Sequence, residues 1–381
     1  SKFLNAANIP SGSNETATIR LLEDYMKNKI NIDDKLVSED ASSIEAIIKN
    51  SNANNFGALR LFVAMLEANN IRYQLVFPSV RNQLPLEEDL ANWNRIEETL
   101  VYFPGTGKYV DPAASALRYP YFDPYWAGAR GFFVKGTMIG DVKTATGKFD
   151  DIAIEPVQES AHNMEVYAKL NATADSMIIN SKQILTGYGA MGYRPLWAFL
   201  PKDKQEEAVK DIVQSIAKSE NITNIKCENT LLTDCWDNKP LVIGATIHTA
   251  ELMEKAGNKL LIKIGEFIGG QAEMYQEKAR KLPAEVGYPH ILERKLVFEI
   301  PDGYTIKNPE SVVMDVQHKK DNEVNLGFVS SYKIEKNILS VYILETYADI
   351  KYPLSDFETF KKVINAAADF NKVVLVLEKK S

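Results

Sequence analysis

Apolar positions recur at helical spacing in the first part of the chain and alternate with polar ones through most of its second half. Residues 15–29 set Ile19, Leu21, Leu22, Tyr25 and Met26 on a broad apolar face, and Asn14 is the predicted N-cap. A shorter helix is predicted over 41–50, with Ser42 or Ser43 near its start. The stretch opening at Asn55 is different. Phe56, Leu59, Leu61, Phe62, Val63, Met65 and Leu66 make it apolar most of the way round, which predicts a buried helix rather than one laid on a surface. Asn69 and Asn70 end it, since asparagine tolerates the left-handed conformation of a helix stop. A strand is predicted over 71–78, then a polar loop over 79–94. Strand-like runs at 98–103 and 108–112 flank Pro104-Gly105-Thr106-Gly107, a hairpin signal. A Pro-broken aromatic segment follows, with Tyr119, Tyr121, Phe122, Tyr125, Trp126, Phe132 and Phe133.

Between 140 and 160 the composition turns polar, and a domain boundary is placed there. This gives a first domain over 1–145 and a β-rich domain over 146–381, with subregions 146–285 and 286–381. Alternation predicts strands at 164–170, 241–247, 295–300, 323–332, 337–348 and 372–378. Gly303, after Pro301 and Asp302, marks a turn. Two helices interrupt the strands, an amphipathic one at 203–218 and one at 355–370 that opens on the capping residues Ser355 and Asp356. Half-buried alternation of this kind predicts an antiparallel sheet or sandwich with helical additions.

Composition narrows the partners. The 381 residues carry a net charge of −7 with the two signs interspersed and no Lys/Arg block, so no nucleic-acid footprint is present. No apolar run reaches the ~18 residues of a membrane span. Cys227 and Cys235 are too few for a disulfide framework; one bridge and two free thiols both remain open. The four histidines are scattered, and none stands at metal-ligand spacing from another His or Cys, so no metal or other cofactor is expected. The chain starts Ser1-Lys2-Phe3 without Met, as expected of a mature or trimmed fragment.

Over roughly residues 15–135 the order of elements resembles the core of the bacterial transglutaminase-like superfamily, Bacteroidetes type, which has a papain-like fold. The resemblance is carried by Phe62-Val63-Ala64-Met65-Leu66 with Asn69-Asn70-Ile71, and by Leu100-Val101-Tyr102-Phe103, a turn, then Lys108-Tyr109-Val110-Asp111-Pro112. In that family a Cys at the N-terminus of the buried helix, a His on the next strand and an Asp form the catalytic triad. The positions that match here hold Asn55, Glu98 and Asp111, with Glu97 or Thr99 replacing Glu98 if the register slips by one. Residues 287–378 resemble the β-rich domain of unknown function that follows this core. The resemblance implies an exported protein of the periplasm or cell envelope.

The missing chemistry does not depend on that register. No Cys precedes Cys227 and no His precedes His162. Thiol acyl transfer needs a thiolate at the helix end and an imidazole oriented by a carboxylate. An asparagine amide is no nucleophile, but it is a good N-cap, which is the simpler role for Asn54 or Asn55. Asp111 also reads as a turn residue ahead of Pro112. Glu98 and Asp111 could form an acid–base pair of raised pKa; a solvated or ion-paired state is the preferred reading. Tyr121, Tyr125 and Trp126 are candidate binding residues at the border of the cleft, with packing at a core edge the preferred reading.

The expected fold is therefore α+β, a transglutaminase-like (papain-like) core followed by an antiparallel β-sandwich-like domain with helical additions. The expected function is a catalytically inactive relative that binds a peptide, protein or glycan. The alternative is an active cysteine-protease- or transglutaminase-type hydrolase or acyl transferase, as the family name implies.

Overall fold

The computed structural model describes residues 3, 9–87, 98–217, 219–275 and 279–380; Glu97 and the end of the 79–94 loop lie outside them. The chain forms two compact units, residues 1–154 with 232–237, and residues 155–231 with 238–381. Both are mixtures of helix and predominantly antiparallel sheet, and no closed barrel is present among the described residues. No helix among these residues is long and apolar enough to cross a membrane.

The first unit begins with α1 (Glu15–Lys29), capped where Asn14 Oδ1 accepts the Ala17 N–H at 2.8 Å. Short parallel strands β1 (Asn31–Ile32) and β2 (Asn52–Ala53) bracket a 3-10 turn at Glu39–Ser42 and α2 (Ile44–Asn50). Next come α3 (Asn55–Ala68) and five strands: β3 (Gln74–Pro78), β4 (Leu100–Phe103), β5 (Lys108–Val110), β6 (Arg130–Ile139) and β7 (Val142–Asp151). They form an antiparallel sheet in the order β5-β4-β3-β6-β7.

Alternation along β4 explains how this sheet is covered on both faces. Val101 and Phe103 join the core made with Ile19, Leu22 and Met26 of α1 and Leu61, Phe62 and Met65 of α3. Leu100, from the opposite face, joins Val76, Tyr109, Phe122, Trp126, Phe133 and Ile152. The strand predicted from Ile71 starts only at Gln74. Asn70, at φ 56°, turns the chain, and the N–H groups of Asn69, Asn70 and Ile71 donate to the last carbonyls of α3. β7 was not read from the sequence because nearly all its residues are exposed, leaving no apolar alternation to detect.

The second unit holds β8 (Ala161–Leu170), β9 (Met177–Thr186), α4 (Gly187–Met191), α5 (Pro195–Phe199), α6 (Lys202–Gln214), β10 (Ile222–Glu228), β11 (Leu241–Thr249), β12 (Met253–Ala256), β13 (Lys259–Ile262) and β14 (Ala284–Glu285). It continues with β15 (His290–Glu299), β16 (Tyr304–Ile306), β17 (Met314–Lys320), β18 (Glu323–Glu335), β19 (Ile338–Tyr347), β20 (Lys351–Tyr352), α7 (Phe357–Asn371) and β21 (Leu375–Lys379). Eight strands make one sheet, β10-β11-β9-β8-β15-β19-β18-β17. Its buried face (Val166, Ile179, Ile243, Leu296, Phe328, Val341) shares a core with Phe360, Val363 and Phe370 of α7. Ile262 and Leu377, from the smaller sheet β12-β13-β21-β16, join the same core.

The layer facing the large sheet combines α7 with the small sheet β12-β13-β21-β16. One expectation changes here. The central β8–β15 pair is parallel, from Ile291 opposite Ala161 to Glu299 opposite Lys169. These strands are far apart in sequence, so no tight turn forces them antiparallel.

Gly57, inside α3, tests how close packing sets the position of the helix. Glycine costs about 1 kcal/mol against alanine in a helix interior, yet a Cβ here would lie 2.0 Å from the backbone oxygen of Ala41. Gly57→Ala is therefore expected to destabilise the protein by about 1–3 kcal/mol, opposite in sign to helix propensity, and a lowered thermal melting midpoint would show it.

Candidate functional site

The site is built on the loop between β5 and β6, and α1 holds that loop in place. Lys27 is buried, and its ammonium donates to three oxygens, Glu23 Oε1 at 2.7 Å, Asp111 O at 2.7 Å and Leu117 O at 3.0 Å. Glu23, also buried, accepts the Tyr119 N–H at 2.7 Å through its other oxygen. One helical turn thus supplies a paired cation and anion whose hydrogen bonds are spent on the backbone of 111–119. Arg118 adds to the grip. It is 2 % exposed, and it donates to Asp24 Oδ1 at 2.9 Å and to the carbonyls of Ser115 and Leu117.

Residues 232–237 pack onto the same part of the first unit. Arg20 donates to Trp236 O and to Asp237 Oδ1, and its guanidinium lies over the rings of Tyr119 and Trp236. Cys235 is buried with Sγ 3.7 Å from Tyr119 O.

The loop, the start of α3 and the residues before β4 enclose an open cavity of about 510 Å3. Asn55, Glu98 and Asp111 all line it, so the three positions singled out in the sequence converge. Tyr125 lines it from an exposed position and Trp126 from the buried core it shares with Leu100, whereas Tyr121 is buried and does not line it. Asp123 is a further lining carboxylate that the sequence did not single out. Its Oδ1 accepts the Tyr125 N–H at 2.9 Å and its carbonyl accepts the Trp126 N–H at 3.0 Å, so it also shapes the aromatic corner. Only an Asx-turn pattern ahead of the aromatic pair could have signalled it.

Two asparagines divide the roles at the helix start. Asn54 is the cap, with Oδ1 accepting the Gly57 N–H at 2.8 Å and Nδ2 donating to Leu36 O at 3.1 Å. Asn55 is thereby the first helical residue, and it lines the cavity. Asp111 is 5 % exposed, and its Oδ1 accepts the N–H groups of Ala113 at 3.0 Å and Ala114 at 3.1 Å. Burial pushes its carboxyl above the usual range, outweighing the opposing pull of Lys27 and these two N–H groups.

Among the described residues the cavity is lined by three carboxyl groups, one amide and two aromatic side chains. This chemistry accepts hydrogen bonds and favours positive charge. Neither cysteine lines it. Cys227 and Cys235 are free thiols, and burial pushes the Cys227 thiol up, away from thiolate. His162, His248, His290 and His318 all belong to the second unit. Among the described residues no cluster of His, Cys, Asp or Glu is placed to hold a metal ion.

No protein-family model and no curated protein matches the sequence. Among solved structures the chain is similar to a "putative protease" from Parabacteroides distasonis, with a TM-score of 0.50 and 10% sequence identity. The match covers 99% of this chain but 55% of that one, so this chain spans little more than half the length of its structural neighbour. At this identity the likeness is one of fold alone, an α+β architecture that this chain shares with part of that protein.

Two outcomes follow from the electrostatics. Lys27→Met leaves the Glu23 carboxylate buried beside loop carbonyls, and should cost about 3–5 kcal/mol in urea unfolding of the first unit. Adding Glu23→Gln, which keeps an acceptor for the Tyr119 N–H, should recover part of that loss. Asp111→Asn keeps an oxygen for Ala113 and Ala114 and removes the buried charge. Because the folded pKa of Asp111 is raised, its favourable contribution is complete in acid and is lost as pH rises through the folded pKa. The asparagine variant should thus melt above the parent at pH 7, with the gap closing as pH falls toward about 4.

Proposed function

We propose that this chain is a recognition protein built on a transglutaminase-like, papain-like scaffold, and that its cleft binds a peptide or glycan without thiol acyl transfer. The observation that carries this reading is the convergence of Asn55, Glu98 and Asp111 on one cavity with Tyr125 and Trp126. The helix start that would hold a thiol nucleophile carries an amide. The exposed ring of Tyr125 offers a face for a sugar ring or extended peptide, backed by the buried Trp126, and the carboxylates select ligands rich in hydrogen-bond donors, either basic side chains or sugar hydroxyls. An envelope location fits such a role; it rests on the family resemblance in the sequence.

A second reading has its own support. Glu98 and Asp111 share the cavity, and Asp111 is held toward its protonated form, as a general acid requires. This would make the site a carboxylate-based hydrolase of sugars.

Binding and turnover separate these readings. Titration of the full chain against basic peptides and oligosaccharides should show binding without hydrolysis, weakened about tenfold by Tyr125→Ala or Glu98→Gln. Sugar hydrolysis that disappears in Glu98→Gln would select the carboxylate mechanism. Peptide turnover with thiol-probe labelling, both lost in Cys235→Ser or Cys227→Ser, would overturn the recognition reading in favour of a thiol enzyme.

A further inference from the structure

The β6–β7 hairpin outruns the sheet that carries it. β3 pairs with β6 only from Pro78 opposite Gly131 to Leu75 opposite Val134. β6 continues to Ile139 and remains paired with β7 throughout, from Arg130 opposite Asp151 to Ile139 opposite Val142. Along residues 135–139 the side of β6 turned away from β7 therefore has no neighbouring strand among the described residues. The cause lies at the end of α3. Asn69–Ile71 are spent on the helix stop, so β3 starts late and the chain at 71–73 does not pair with β6.

The gap this leaves is a cavity of about 620 Å3 between residues 71–74 and 135–138. Arg72, Lys135 and Lys143 line it, and none of them forms an ion pair among the described residues. Glu67, the one carboxylate among the described lining residues, accepts the Tyr73 hydroxyl at 3.0 Å. Burial, together with that contact, raises the Tyr73 hydroxyl pKa to about 12, so the phenol stays neutral. Lys143 stands opposite Met138 and Lys135 opposite Thr146, so the strand period puts the two lysines on opposite faces of the hairpin.

Lysines on an open edge can simply deter strand pairing. The tip does not fit that role, since Met138, Ile139 and Val142 are 55%, 69% and 66% exposed. A purely protective edge would not end in bare apolar side chains.

We propose that the open edge of β6 is a docking site for an extended acidic peptide, added as a strand beside Lys135–Ile139. The peptide backbone pairs with the free edge over about five residues. Its carboxylates, projecting to both faces, meet Arg72, Lys135 and Lys143, and its apolar side chains cover the exposed tip. Charge complementarity makes this site the opposite of the acidic cleft bordered by Asp111, so one ligand chemistry does not suit both.

Fluorescence anisotropy of a labelled short Glu/Val peptide with the full chain tests this. The expected result is salt-sensitive binding that falls by about tenfold or more in Lys135→Glu and in Lys143→Glu. N-methylation of alternate peptide amides should abolish binding in one of the two possible registers. Four results would overturn it: no binding to the parent, equal affinity for the matching Lys/Val peptide, binding indifferent to both N-methylated series, or full displacement by inorganic phosphate. Binding lost in Tyr125→Ala but kept in both lysine variants would move the peptide to the acidic cleft and equally end the proposal.

Discussion

A buried ammonium facing three oxygens is the constraint on which the candidate site depends. Lys27 can be held away from water only because Glu23, one turn earlier on α1, neutralises it and two loop carbonyls complete its hydrogen bonds. The same contacts fix where the chain runs after β5. Asp111 is placed by its own carbonyl on Lys27, Tyr119 by its N–H on Glu23, and the aromatic corner at Tyr125 and Trp126 follows along the same loop. An apolar contact would bury as much surface but would not dictate the path of the backbone. Directional hydrogen bonds from a paired charge do.

The first unit concentrates opposite charge in separate places. One cavity gathers Glu98, Asp111 and Asp123 beside aromatic rings, and the other gathers Arg72, Lys135 and Lys143 beside a strand edge. The interspersed charges of the sequence give no sign of this. It arises because residues distant along the chain meet where a loop returns or a strand starts late. The buried carboxyl of Asp111 also stands at a cost to folding, which its two N–H donors and Lys27 offset only in part. Groups held against their own solvation concentrate where function uses them.

Much of the local structure was legible. α1 was readable to its ends because Asn14 caps it and its apolar face is periodic, and α3 because its apolar residues nearly encircle it. The β4–β5 hairpin was marked by Pro104 to Gly107 between alternating runs. Elements without an apolar pattern were hidden. β7 is exposed nearly throughout, and the strand before Gln74 was overrun because Asn70 and Ile71 serve the helix stop. The parallel placement of β15 beside β8 was equally invisible, since each strand alternates in the same way whichever direction its neighbour runs.

The sequence by itself determined that the opening 161 residues of the chain hold no cysteine and no histidine, independent of any fold; that Cys235 nevertheless belongs to the first unit is decided by the tertiary structure. Period and capping likewise determined five of the seven described helices (α1, α2, α3, α6 and α7) but fewer than half of the described strands, because those signals are local and many strands are short, exposed or weakly apolar. Only the tertiary structure decided that Asn55, Glu98 and Asp111 share a cavity, that Asp123 joins them while Tyr121 turns inward, and that Asn54 rather than Asn55 caps the helix. It also decided that residues 232–237 return to the first unit. Such meetings depend on buried charge pairing and on where the chain reverses, and those are set by contacts between residues that no short window of sequence contains.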